Sequence, residues 1–201
     1  MIIQRDQFHA LFGDGIPTGA DTMTPSTYMS ASERAVLLAL ARFTRAATVI
    51  EFGTQSGATA KLLLDQCPHI KTYIGIDLPP GEHTALESQE KEIPPEPGAL
   101  ALPFTKRFRL LLQDSTSLQP SDLPKADLIL IDGGHDYETV KSDSILAASR
   151  IRPGGVIIWH DYNPLPEIGV RTYIDQTNNL TGNHITLVAS TWLCFRFANT
   201  L

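Results

Sequence analysis

Cysteine is scarce in this chain: Cys67 and Cys194 are the only two in 201 residues. They stand far apart inside apolar segments, which excludes a disulfide framework and the paired-cysteine spacing of a zinc site. Two reduced core thiols and a cytoplasmic setting are expected. No apolar run approaches the roughly 20 residues of a membrane span. The opening "MIIQRDQFHALF" is too short and too polar for a secretion signal. Clustered positive charge is missing too. Asp and Glu (22) outnumber Lys and Arg (16), for a net charge of −6. Arg5, Arg34, Arg42 and Arg45 are scattered. Nucleic acid would be repelled by such a surface on average, so neither it nor a membrane is an expected partner. No internal repeat is visible.

What is present is an ordinary globular composition, 42% hydrophobic and 19% charged, long enough for one domain with a real core. Residues 1–30 read as an N-terminal arm, with "GDGIPTGADTMTPST" as its loop. "SASE" reads as a capping box, Ser30 capping and Glu33 returning the bond, ahead of a helix over 31–46. Short runs rich in Val, Ile and Leu then recur at 48–52, 72–77, 108–113, 127–131 and 155–160. They are apolar on both faces, as parallel strands covered by helices must be. Helical segments at 57–66 and 137–150 lie between them. "RPGG" stops the second of these, and a helix over 167–180 follows the fifth strand. The runs "HITLVAS" and "WLCFRFA" have so short a connection that they must form an antiparallel hairpin. The expected fold is α/β: a doubly wound, seven-stranded Rossmann-like sheet with its last strand antiparallel, forming one domain over 31–201. Such sheets bind ligands beyond the carboxyl ends of their strands. A proline-rich insertion at 79–103 leaves from that edge, either as solvated surface or as a lid over a pocket.

The first strand ends in "IEFGTQSGATA". Gly53 permits a tight turn and Gly57 a close approach of the helix start. A pyrophosphate site uses G-x-G-x-x-G at this place. Here the spacing is G-x-x-x-G, Gln55 stands where the middle glycine would be, and Glu51 precedes the turn. An acid discourages a diphosphate and suits an ammonium. Two more acids end the next strands. Asp77 in "YIGID" can accept from ribose hydroxyls, and Asp114 in "LLLQDS" from an adenine amino group. An acid at a strand end is often only a helix cap. Three in succession match a nucleoside joined to an amino acid, which is S-adenosylmethionine.

These segments, with "ADLILIDGGHDYETV", "IRPGGVIIWHDY" and the terminal hairpin, resemble the class I S-adenosylmethionine-dependent methyltransferases over roughly residues 28–198. Within that class the chain is most similar to small-molecule O-methyltransferases related to the macrolide-sugar enzymes. The resemblance implies that Glu51, Gly53 and Ser56 lie at the methionine end of the cofactor, Asp77 at the ribose and Asp114 at the adenine; Gly57, at the helix start, completes the candidate cofactor set.

The fourth and fifth strands deliver Asp132, His135, His160 and Asp161 to the same edge. Carboxylates and imidazoles suit a divalent cation. A metal could lower the pKa of an acceptor hydroxyl, and a histidine could take its proton. The resemblance implies a catalytic pair of His135 as base and Asp132 as metal ligand. The related enzymes end the fifth strand in an acidic pair, whereas this chain has His160-Asp161. The candidate metal set is Asp132, Asp161 and His160, with magnesium or manganese as the ion, and a site without metal is the alternative. Tyr28, Tyr137, Tyr162 and Asn163 are further pocket candidates. Each residue also has a plain structural use, as a cap, a turn former or a packed side chain. The expected activity is methylation of a hydroxyl on a small-molecule acceptor, with a homo-oligomer left open. A nicotinamide-dependent oxidoreductase or a non-catalytic cofactor-binding protein of the same fold are the competing readings.

Overall fold

Alternation along each central strand decides the layering. Val49, Leu128, Leu130, Val156 and Ile158 enter one buried cluster together with Val36–Ala41 and Leu63–Leu64. Their sequence neighbours Ile50, Phe52, Ile129, Ile131, Ile157 and Trp159 enter a second, with Val140, Leu146, Ala147, Val170 and Ile174. Both faces of the sheet are thus dry, which is why these strands show no polar alternation.

The computed structural model describes residues 1–16, 28–163, 169–181 and 184–199. Its elements run β1 (Ile2–Ile3), α1 (Arg5–Phe12), α2 (Ala31–Phe43), β2 (Thr48–Phe52), α3 (Ala58–Gln66), β3 (Thr72–Asp77), α4 (Glu87–Glu90), β4 (Phe108–Leu112), β5 (Ala126–Ile131), α5 (Tyr137–Arg150), β6 (Ile151–Trp159), α6 (Gly169–Thr181), β7 (Thr186–Val188) and β8 (Cys194–Phe197). The capping box is formed: Glu33 N–H donates to Ser30 Oγ at 3.3 Å and Ser30 N–H to Glu33 Oε2 at 2.8 Å.

Among the described residues one sheet holds every strand, in the order β1-β7-β8-β6-β5-β2-β3-β4. β8 runs antiparallel to both its neighbours, β6 and β7, and the remaining pairings are parallel. The sheet has eight strands against the seven expected. The addition is β1, whose two isoleucines pair with Leu187 and Val188 on the far edge. Two residues show no period, so nothing in the sequence marks them as a strand. The first half of the arm is therefore part of the body. Phe8 is fully buried and stacks on Phe12 and Phe195. Of the expected 13–27 loop, residues 17–27 lie outside the described residues, as do 167 and 168 of the last expected helix. Cys67 and Cys194 are buried free thiols. Among the described residues no helix is long and apolar enough to cross a membrane.

Chain order reverses between β2 and β5. Strands β3 and β4 lie on one side of β2, while β5 and β6 lie on the other. The cleft of a doubly wound sheet opens at this reversal. Asp132 N–H donates to Phe52 O at 2.9 Å there, which sets Gly53 against Asp132. Gly53 has φ +82°, and a Cβ on it would lie 2.0 Å from the Asp132 carbonyl oxygen. Only glycine fits both the angle and the space.

Candidate active site

The carboxyl ends of the central strands open into one cavity of about 490 Å³. Gly53, Asp77 and Asp114 line one side, and Asp132, His135, His160 and Asp161 the other. The Asp77 carboxylate is held at the end of β3: its Oδ2 accepts from Gln55 N–H, and its Oδ1 from Leu78 N–H at 2.8 Å. Burial pushes its pKa up, partly offset by those two backbone donors. Gln55 itself takes a left-handed conformation, φ 50°, that glycine would adopt without strain. Asp114 caps a short turn, its Oδ1 accepting from Thr116 N–H at 2.9 Å and Thr116 Oγ1–H at 2.8 Å. Its helix-cap use and its place on the cavity wall coexist.

Three expected cofactor residues do not line this cavity. Glu51 is 1% exposed and lies inside the sheet layer, beside the Tyr73 and Thr54 hydroxyls. Burial first, and the charge of Asp132 second, push its pKa well up. The Ser56 carbonyl accepts from Leu100 N–H at 2.9 Å. A Cβ on Gly57 would stand 2.9 Å from the Gly98 carbonyl oxygen. Ser56 and Gly57 therefore face the returning end of the 79–103 insertion. The sequence marks them as part of the turn but not which side of the turn the chain packs against.

His160, 4% exposed, is the centre of the other side. Its Nδ1 lies 3.0 Å from Asp132 Oδ1 and 3.0 Å from Asp161 Oδ2, and its Nε2 lies 3.5 Å from Glu33 Oε1. An Nδ1 placed between two carboxylate oxygens must carry the proton, because a lone pair there would face two anions. Burial opposes charge on the ring, but the three acids outweigh it and hold the pKa far above the ordinary histidine value. Burial likewise pushes Glu33 up, yet the His160 ring 3.5 Å away and hydrogen bonds from Ser30 and Trp192 bring it down to about 2. Asp161 is also held down against its burial, by His135 and His160.

His135 Nε2 lies 3.0 Å from Asp161 Oδ2. Burial lowers the His135 pKa, but the bond to Asp161 and the surrounding acids raise it further, for a net upward shift. Ligand-type atoms of Asp132, His135 and Asp161 lie within 4.8 Å of one another. His135, rather than His160, thus completes the trio in which a cation could be held, because both ring nitrogens of His160 already face carboxylates. Asn163 and Tyr28 line the cavity, whereas Tyr137 and Tyr162 do not. They instead bind Gln176 and Asp175 through their hydroxyls at 2.7 Å.

Part of the insertion lines the cavity and brings residues that the sequence did not single out. Gln89, on α4, is buried: its Oε1 accepts from His135 N–H at 2.9 Å and its Nε2 donates to Gly133 O at 3.3 Å. Glu92 lines the cavity close enough to His135, Asp161 and Asp132 for their charges to act on it. Glu33 is legible only as a capping residue, since its second oxygen, which accepts from Trp192 N–H at 2.8 Å, meets a partner 159 positions away.

A family model described as a methyltransferase domain matches residues 50–162. No curated protein matches the chain. Solved structures that resemble it include the O-methyltransferase TomG from Streptomyces achromogenes, in complex with SAM, at 15% identity, 97% coverage of this chain and 87% of that one, and a TM-score of 0.61. Cofactor-bound Rv0187 from MTB shows 17% identity over 88% of this chain and 84% of that one, with a TM-score of 0.61. The O-methyltransferase NovP shows 15% identity over 76% of this chain and 72% of that one, with a TM-score of 0.59. At such identities the likeness is one of fold.

Proposed function

This chain belongs to the methyltransferase domain family, and from that premise we propose that it transfers the methyl group of S-adenosylmethionine to a hydroxyl of a small molecule. One observation carries the reading. A single cavity has carboxylates at the ends of two adjacent strands, Asp77 and Asp114, on one side and the His135–Asp161 pair on the other.

The residues present fit the nucleoside. Gly53 brings bare backbone to the cleft, and Asp77 and Asp114 retain carboxylate lone pairs for hydroxyl and amino donors. Bound there, the cofactor supplies an electrophilic methyl on a sulfonium. The chain's own residues have to place the acceptor and remove its proton. Asp161 keeps a proton on His135 Nε2, which leaves the Nδ1 lone pair to take the hydroxyl proton. The acids around His135 raise its basicity. His160 ties Asp132 to Asp161 and so fixes the group that orients the base. Gln89 anchors the 79–103 insertion, acting as a lid, to the backbone of His135. TomG is involved in tomaymycin synthesis, which supports a small-molecule acceptor here.

A metal-assisted variant has an observation of its own. The Asp132, His135 and Asp161 atoms are of the type that holds manganese or, with more water retained, magnesium. These three residues would hold the ion, and it would lower the pKa of the acceptor hydroxyl.

Calorimetry with S-adenosylmethionine and S-adenosylhomocysteine, followed by an assay for homocysteine-nucleoside release over a panel of hydroxyl acceptors, tests the proposal. Heat with either nucleoside and acceptor-dependent release are expected. Binding of NADH in place of the nucleosides would turn the assignment to an oxidoreductase. Tight cofactor binding with no transfer to any acceptor would leave a binding protein.

A further inference from the structure

Acids dominate the cavity wall. Six carboxylates line it (Asp77, Glu92, Asp114, Asp132, Asp136 and Asp161), and no lysine or arginine does. All 16 Lys and Arg of the chain fall among the described residues. Residues 17–27 and 164–168 hold Asp21 and Glu167 but no basic side chain, so no segment outside the described residues could add one. Of the three imidazoles on the wall, His160 is already engaged by Asp132, Asp161 and Glu33, His135 by Asp161, and the exposed His83 by Glu90 at 2.9 Å. A phosphate or carboxylate on an acceptor would therefore enter a cleft with several like charges and no uncommitted cationic side chain, where repulsion is less screened than in bulk water.

The acceptor side adds two features. Glu92, from the 79–103 insertion, lines the same cavity as His135, Asp161 and Asp132, and their charges act on it. Trp192 and Tyr28 also line the cavity and remain 46% and 51% exposed. Exposed aromatic faces close to carboxylates suit a flat ring or an organic cation.

We propose that the acceptor carries no phosphate or carboxylate, and that Glu92 sets this selectivity in favour of neutral and amine-bearing hydroxyl compounds. The inference rests on the methyl-transfer reading of the same cavity. It separates this chain's acceptors from nucleotide-linked or acyl-thioester-linked hydroxyl compounds, whose phosphates need cationic partners.

The test uses the chelator-treated full chain saturated with S-adenosylhomocysteine. Three phenols of matched size are titrated by calorimetry: tyramine, para-ethylphenol and para-hydroxyphenylpropionate. Tyramine and para-ethylphenol should each bind at least tenfold more tightly than the propionate, with tyramine first. Glu92→Gln should keep nucleoside affinity within about twofold and cut the tyramine preference over the propionate at least threefold. Propionate binding equal to or tighter than that of tyramine overturns the proposal, as does absence of binding by all three phenols to nucleoside-loaded protein. An unchanged preference in Glu92→Gln overturns the role of Glu92. Failure of the nucleoside itself to bind strikes the methyl-transfer reading instead, and the first titration separates that result from the others.

Discussion

His160 Nδ1 and Asp132 Oδ1 stand 3.0 Å apart, joining the carboxyl end of β6 to that of β5. The same nitrogen reaches Asp161 Oδ2 at 3.0 Å. One buried ring thus ties two acids whose neighbour His135 faces the cavity. The arrangement gives each member a separable consequence.

Removing His160 should leave Asp132, Asp161 and Glu33 as close buried carboxylates without their shared cation. We expect His160→Ala to cost about 3–5 kcal/mol of folding stability, as for a broken buried ion pair. Chemical denaturation checks this, and a loss below about 1 kcal/mol would mean the ring is not the charged partner described.

Glu33 makes the stability pH-dependent. Its folded pKa, about 2, lies below the ordinary 4.5. Its contribution is therefore complete above about pH 5 and is lost as the pH falls from there toward 2. In urea melts taken between these limits, Glu33→Gln should flatten that decline. It should also lower the neutral-pH stability by roughly 3 kcal/mol, following the 1.36 kcal/mol per pKa unit of linkage. A variant that keeps the full acid-limb slope would place the titrating group elsewhere.

Asp77→Ala should weaken binding of S-adenosylhomocysteine by about tenfold or more, since one charge-assisted hydrogen bond accounts for roughly that factor. Isothermal titration measures it. Unchanged affinity would remove Asp77 from the nucleoside site.

His135→Ala should spare that affinity and reduce turnover by about 10²- to 10⁴-fold, the usual scale for a general base. Normal turnover in this variant would end the base assignment.

The pH dependence of turnover carries its own sign. His135 must be neutral to accept a proton, and Asp161 raises its pKa. Activity should therefore rise with pH through a midpoint above 6.5. Asp161→Asn should move that midpoint downward while lowering the rate. Were a divalent ion part of the site, chelation would abolish turnover and manganese restore it; a rate unaffected by chelator would exclude the metal-assisted variant.

Much of this was readable in the residues alone. Alternating apolar runs and helical spacings are local, and they specify a doubly wound sheet with a terminal hairpin because both strand faces must be dry. The strand-end positions of Asp77, Asp114, Asp132 and Asp161 follow from the same periodicity, since a residue just past a parallel strand emerges at the ligand edge. Tertiary contact decided the rest. Glu51 faces Tyr73 inside the layer because register with β3, not the strand's own pattern, determines what lies beside it. Glu33, 127 positions from His160, and Gln89, 46 from His135, meet their partners only when chain segments with no shared period are brought together. Hydrogen bonding over such separations leaves no mark on local sequence, so the buried charge network and the Gln89–His135 contact became visible only in three dimensions.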